Sequence, residues 1–310
     1  MNNPTSPVTI SGTTTLTDTF QSSDIIKLYK EQFGIEVGHF FTDTTFSLYQ
    51  CNETGYRFYY PGNMDGDAGF YATLQSKFGQ EYYHDWKFEN QLALNNIQPT
   101  DKVLDIGCGV GNFLVRAKER AAEAVGLELN DKAVEVCKQK GLTVYNELIA
   151  AHAAKKEAYY DVVCMFQVLE HIYDVRPFLD DALKALKKGG KLIIGVPNNE
   201  PYFKSYDKYC TLNLPPHHMG LWNKEVFKKI EPLYNLKMIE VEYDEKGSPV
   251  IEGYLRAKYM GKVLTPAGMH TVAEKIKMLL LGLITVPLSF VKKITTGING
   301  SHIAVVFQKL

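Results

Sequence analysis

From Asp101 onward the sequence predicts an α/β fold, a mostly parallel sheet with helices on both of its faces. Three observations predict it. Apolar runs of strand length alternate with stretches of helical spacing, the pattern of repeated β-α units. The first run, Val103-Leu104-Asp105-Ile106, passes into Gly107-Cys108-Gly109-Val110-Gly111-Asn112 and then a helical pattern from Phe113, so it reads as strand, tight loop and helix start. Two late alternating runs, residues 236–244 and 301–309, read as an antiparallel hairpin that completes a sheet of seven strands.

Taken in order, residues 1 to about 22 are polar and rich in Ser and Thr, and are expected to be loosely held. They carry neither a basic start nor an apolar run, so no signal peptide is expected. A helix follows from Asp24 (Ile25, Ile26, Leu28, Tyr29, Phe33), with Ser22 or Ser23 as its cap. Phe46 to Cys51 and Tyr56 to Tyr60 alternate around Asn52-Glu53-Thr54-Gly55 and predict a β-hairpin. Residues 68–97 read as a helical stretch full of aromatics, either a core face or, through Tyr82, Tyr83, Trp86 and Glu89, a wall against a ligand.

Within the sheet, strand one covers residues 102–106, strand two 124–128, strand three 142–145, strand four 160–166 and strand five 191–196. Helices lie over residues 112–122, 132–140 and 177–186, the last carrying Leu179, Leu183 and Leu186 on one face. Lys187-Lys188-Gly189-Gly190 reads as its C-terminal stop. Between strands six and seven stands an apolar run, Met278 to Val291, flanked by lysines and interrupted by Pro287. It falls short of the roughly 20 residues a membrane span needs. A packing helix pair or a dimer surface is expected there, and residence on a membrane surface is the alternative.

The chain of 310 residues has a formal charge of −1 with 22% charged residues, so no polybasic field points to nucleic acid. Five cysteines without a C-x-x-C pair predict reduced thiols in a cytoplasmic protein, with neither a disulfide framework nor a structural zinc site.

The glycine loop decides the ligand class. Dinucleotide folds use G-x-G-x-x-G with the pyrophosphate at the helix start. Here Asn112 takes the place of the third glycine, and Asp105 puts a carboxylate at the loop mouth, hostile to a phosphate and suited to a cation. There is no G-K-[ST]. Glu128 ends strand two, roughly 20 residues beyond the loop, where a carboxylate can accept ribose hydroxyls. Asp161 to His171 then runs through strand four into Val168-Leu169-Glu170-His171.

These three ordered segments, Val103 to Gly111, Glu128 and Asp161 to His171, resemble the motifs of class I S-adenosylmethionine-dependent methyltransferases of the ubiquinone-biosynthesis-like group. The resemblance implies a Rossmann-like sheet over residues 80–245 and 301–310, an N-terminal helix and hairpin extension as a cap over residues 1–79, and an apolar helical insertion over 246–300. It implies S-adenosylmethionine as cofactor and S-adenosylhomocysteine as product. Asp105 and Gly107 would meet the methionine part, Glu128 the ribose and Leu129 the adenine, with Cys108, Gly109, Gly111, Gln167 and Tyr83 also at the cofactor. Asn146 stands where the family usually has Asp.

The reaction implied is an in-line displacement at a sulfonium methyl, in which the protein aligns nucleophile and methyl. An alcohol acceptor benefits from a base. His171 and the pair in Pro215-Pro216-His217-His218 are the candidates, with helix-start or loop packing as the bland reading. A divalent ion on Glu170 and His171 is a secondary reading, weakened because Gln167 replaces the first acid of an E-x-x-E-H pattern; no metal is expected. N-terminal segments, including Thr54 to Pro61, also resemble bacterial surface-polysaccharide methyltransferases. A sugar or glycan hydroxyl is therefore the first expectation for the acceptor and a small phenolic or quinone-like molecule the second. A non-catalytic cofactor-binding protein and an NAD enzyme are the remaining alternatives; the intact Asp105, glycines and Glu128 argue against the first and the shortened glycine loop against the second.

Overall fold

The computed structural model describes residues 3–10, 12–78, 86–200, 208–244, 255, 259, 271–292 and 299–310. The N-terminal part forms strand β1 (Thr14–Gln21), helix α1 (Ser22–Phe33) and the predicted hairpin, β2 (Thr45–Cys51) and β3 (Arg57–Tyr60). β1 was not expected. It pairs antiparallel with β2 from Thr14–Cys51 to Gln21–Thr45, and Phe20 stacks on Phe46 at 5.0 Å. Its threonines are polar in composition but β-branched, and such residues favour a pleated strand. Upstream, Val8 is fully buried and its carbonyl accepts from the Tyr234 hydroxyl at 3.1 Å. The expected serine cap is absent as well: Gln21 occupies that position, and the Ser22 hydroxyl instead donates to the Asp43 carbonyl at 2.6 Å.

Deleting residues 1–21 is therefore expected to cost several kcal/mol, on the order of one strand ladder and a few buried apolar side chains. A thermal melt unchanged by the deletion would refute this role.

The aromatic stretch divides into α2 (Ala68–Phe78) and α3 (Phe88–Asn95), with Lys87 extended (φ −117°, ψ 164°) before the second, so it is not one helix. The sheet is then built by β4 (Lys102–Ile106), α4 (Asn112–Arg120), β5 (Glu123–Leu127), α5 (Asp131–Gln139), β6 (Thr143–Tyr145), α6 (Ile149–Lys155), β7 (Tyr160–Phe166), α7 (Val175–Ala185) and β8 (Leu186–Pro197). After β9 (Gly220–Leu221) and α8 (Lys224–Tyr234), the chain adds β10 (Leu236–Tyr243), helix α9 (Val272–Lys292) and β11 (His302–Lys309). Strand order is β10-β11-β8-β7-β4-β5-β6, parallel from β8 to β6 and antiparallel at β10 and β11. Alternate residues bury opposite faces: Leu104, Val163, Ile194 and Val305 lie in one core layer, and Val103, Val162, Ile193 and Val306 in the other. The expected helix stop at Lys187 to Gly190 belongs instead to β8, which bulges against β7 between Tyr160 and Val162.

Two features place the site. The order reverses between β4 and β7, so their following loops diverge and open a crevice at the carboxyl edge of the sheet. And β9 pairs with β3 (Arg57–Leu221, Phe58–Gly220), which makes a second sheet of order β1-β2-β3-β9. That pairing fastens the N-terminal module to the loop carrying His217 and His218.

In the insertion, Val272–Lys292 form helix α9, which includes Pro287, and most of the stretch that would hold the partner of the expected helix pair lies outside the described residues. Leu279 and Leu283 on it are 69% and 70% exposed. No helix among the described residues is long and apolar enough to cross a membrane.

Candidate active site

The cofactor side is built on the loop between β4 and α4. Gly107 (φ +72°) and Gly111 (φ +79°) both adopt left-handed backbone. A Cβ at Gly107 would stand 2.5 Å from Val168 Cγ2, and one at Gly111 2.4 Å from Leu142 Cδ1 and 2.9 Å from Cys137 Sγ. Only glycine meets both demands. Gly111→Val is accordingly expected to destabilise the protein by about 3–5 kcal/mol through strain and overpacking and to abolish retention of S-adenosylhomocysteine in a titration; a folded variant that still binds would contradict the geometry.

Glu128 follows β5 and braces the loop: its two carboxylate oxygens accept from the Gly109 amide at 2.9 Å and the Asn130 amide at 2.8 Å. Leu129 beside it is 52% exposed, an apolar face at the position expected to meet a flat base. Asn146 does not reach outward; its amide donates to Asp131 Oδ1 at 2.6 Å and so steadies the start of α5. Cys108 is buried against Gly126, and its hydrogen bond with Cys137 is the first cause that pushes its thiol up.

Two buried carboxylates face this crevice. Asp105 is 2% exposed, and burial first, then repulsion from Glu128, pushes its carboxyl well above the usual carboxylate range. Glu89 on α3 is 1% exposed and lies against Gly195, and its Oε1 accepts from Gln167 Nε2 at 3.2 Å. Asp105 Oδ1 and Glu89 Oε2 are buried without a hydrogen-bond partner among the described residues. Unsatisfied buried carboxylate oxygens are costly, and a cationic ligand relieves that cost. Gln167 itself is held at φ +56°, its amide donating to the Gly195 carbonyl at 2.7 Å. Tyr83 lies outside the described residues. Trp86 packs against the core layer that holds Leu92, Val103 and Phe113, with Arg116 3.9 Å above its ring.

The acceptor side is built from two loops and one helix. The Gly107 α-carbon abuts Val168, whose carbonyl accepts from the His171 amide at 3.0 Å. His217 and His218 follow the cis Pro215–Pro216 peptide. The three imidazoles meet, with ring centroids 4.9 Å apart for His171 and His217, 5.1 Å for His171 and His218, and 4.4 Å for His217 and His218. Tyr71 of α2 stands edge-on to His171 at 5.2 Å, and one turn on, Gln75 accepts from the Asn130 side chain at 3.3 Å. Helix α2 therefore lies across the carboxyl edge from the end of β5 to the histidines.

Burial pushes His171 down to about 4 against the pull of the His217 and Gln167 carbonyls, and burial together with His171 pushes His217 down to about 3. Both rings are neutral at physiological pH. Sequence reasoning found all three histidines but not Asn213, which orients His218 (Nδ1 to Oδ1, 3.2 Å), nor Tyr71 and Gln75. No motif marks these residues; only the folded chain brings them to the site.

A doubly wound sheet, a glycine loop closed by an acid and an acid on the next strand define a class I S-adenosylmethionine-dependent methyltransferase. A family model described as a methyltransferase domain matches residues 79–241, more than half of the chain, and the chain belongs to that family. It is similar to the ubiquinone biosynthesis O-methyltransferase of Nitrosomonas europaea, 32% identical over 165 residues that cover 46% of this chain and 69% of that protein. The enzyme of the same name from Leptothrix cholodnii is 31% identical over 125 residues, 36% of this chain and 53% of the relative. The chain thus spans between about half and two thirds of the length of these curated relatives. A SAM dependent methyltransferase from Archaeoglobus fulgidus superposes with a TM-score of 0.52 at 18% identity, over 77% of this chain and 100% of that one, a likeness of fold. S-adenosylmethionine, which carries positive charge, fits the chemistry of a site whose buried Asp105 Oδ1 and Glu89 Oε2 have no hydrogen-bond partner among the described residues.

Proposed function

We propose that this methyltransferase acts on a phenolic hydroxyl of a small, quinone-like acceptor. The observation that carries this reading is the cluster of flat side chains, Tyr71, His171, His217 and His218, beside Val168 and hence beside Gly107 of the cofactor loop. Planar walls suit a planar acceptor. The names of the relatives from Nitrosomonas europaea and Leptothrix cholodnii support it. A sugar hydroxyl, the first expectation from sequence, has less support. Of the hairpin aromatics that could stack on a sugar, Phe46, Phe58 and Tyr59 are 2%, 0% and 3% exposed and are spent on packing, and Tyr60 is 43% exposed.

When bound, S-adenosylmethionine supplies a methyl group on a positively charged sulfur. Asp105 and Glu89 hold its cationic end, Glu128 orients the ribose, and α2 covers the crevice and limits water. The histidines stand on the acceptor side. Since His171 and His217 are held near 4 and 3, neither is matched to take a phenol proton as an isolated base, for which a value near the working pH serves best. They act as lone-pair donors. The exposed Ile276, Leu279, Leu280, Leu283 and Ile284 of α9 support a contact of segment 276–292 with a second copy or with the inner face of a membrane that carries the acceptor.

The deciding experiment follows labelled methyl from S-adenosylmethionine into a panel of catechols, hydroxyquinols and nucleotide sugars. Uptake by the phenols is expected; uptake confined to the sugars would overturn the reading.

A further inference from the structure

We propose that His171, His217 and His218 form a three-imidazole site for a divalent transition-metal ion of the zinc or cobalt type, open toward the acceptor. The inference rests on the acceptor side described above, but its donor set differs from the Glu170–His171 pair that the sequence suggested. One ligand atom from each ring can be chosen so that all three lie within 4.8 Å of one another. An ion about 2.1 Å from each nitrogen needs them about 3.4 Å apart in a tetrahedral site, and since His217 and His218 stack with their planes 20° apart, one of these two rings turns when the ion binds.

What makes the cluster a site is the arrangement of its outer nitrogens. His171 Nδ1 faces the His217 carbonyl at 2.5 Å, and His217 Nδ1 faces the Leu212 carbonyl at 2.9 Å. A carbonyl only accepts, so each of these nitrogens carries the hydrogen and each Nε2 is the lone-pair nitrogen. His218 reaches the same state through a relay. Asn199 Nδ2 donates to the Pro197 carbonyl at 3.2 Å, Asn213 Nδ2 donates to Asn199 Oδ1 at 2.9 Å, and His218 Nδ1 therefore donates to Asn213 Oδ1. Three rings from two loops are thus locked into one tautomer by acceptors on their far side, the arrangement that metal-bound histidines show.

Neutral nitrogen donors select zinc, cobalt, nickel or iron over magnesium and calcium, which prefer oxygen. Glu170, 1% exposed, holds its Oε1 3.9 Å from His171 Nε2, beside the three rings and outside the donor set. With three protein ligands a fourth position stays open, as in catalytic zinc sites. An acceptor hydroxyl bound there gives its proton to solvent. Its oxygen then forms the bond to the methyl carbon as the carbon–sulfur bond breaks, and the electron pair of that bond remains on sulfur.

The test begins with the whole protein freed of metal by chelation and titrated with Co²⁺, without cofactor or acceptor. Uptake of one equivalent with a visible ligand-field spectrum and no thiolate charge-transfer band is expected. No uptake by the folded protein, or a thiolate band placing the ion on cysteine, overturns the site. His217→Gln and His218→Gln should each lose the spectrum with S-adenosylhomocysteine affinity kept, and undiminished uptake in both overturns it. Asn213→Ala keeps all three ligands, and metal affinity should fall about 10- to 100-fold. The proposed acceptor is judged separately. Metal uptake without transfer to any phenol leaves the site standing, whereas full-rate transfer by chelated enzyme overturns the site's role and leaves the acceptor reading intact.

Discussion

Asp105→Asn is expected to weaken S-adenosylmethionine binding by about 2–4 kcal/mol, roughly 30- to 1,000-fold, because it removes the charge from a buried group proposed to meet a cation. The same change is expected to stabilise the ligand-free protein at neutral and alkaline pH. Burial raises the Asp105 carboxyl in the folded state, so the native chain holds that proton more tightly than the unfolded chain does. The group's stabilising contribution is then complete below the ordinary carboxylate value and is lost as pH rises through the folded-state value. The amide has no such loss. Thermal melts across pH should therefore converge in acid and separate in base, with the variant higher. A second readout is proton release. A cationic ligand pulls the carboxyl value down, so binding to the wild-type protein should expel up to one proton, visible as a dependence of calorimetric heat on the buffer's ionisation enthalpy. If the variant binds as tightly as the parent, with the same buffer dependence, Asp105 is not the cation's partner.

Trp222→Ala should be the most damaging single truncation in the structure, at about 3–5 kcal/mol. Trp222 is fully buried, stacks on Phe227 at 5.1 Å and meets Tyr56 at 4.5 Å. It directly follows β9, and its carbonyl accepts from the Asn199 amide at 2.7 Å. One ring thus pins together the N-terminal hairpin, the end of β8 and the loop that carries two of the three histidines. The expected phenotype is a large fall in melting temperature, with turnover reduced more than cofactor affinity, since the glycine loop lies elsewhere in the crevice. Trp222→Phe should recover most of both. Equal loss of cofactor binding and turnover would show instead that Trp222 supports the whole domain without preference for the acceptor side.

Much of this was legible in the sequence, and where it was not the reason is physical. The parallel strands were plain because strands buried on both faces are continuous apolar runs, and Val103-Leu104 and Val162-Val163-Cys164 need no partner to be recognised. The glycine loop was plain because left-handed backbone and close packing at Gly107 and Gly111 admit no other residue. β1 was missed because its pairing partner stands some thirty residues away and its outer face is polar, so composition alone resembles a tail. The break at Lys87 was missed because helix-compatible residues continue on both sides of it. The expected stop at Gly189-Gly190 was a sound local inference overridden by the ladder between β7 and β8.

By itself, the sequence determined the parallel strands β4 to β8 in their order, the cofactor class and the identity of the three histidines. These depend on periodicity, backbone permissiveness and residue chemistry, all of which are local. Only the tertiary structure decided that β9 joins the N-terminal sheet, that Asn213 orients His218, and that histidines some forty-six residues apart meet ring against ring. Such convergence is set by long-range pairing and burial, whose energies arise between segments and so leave no pattern within either one.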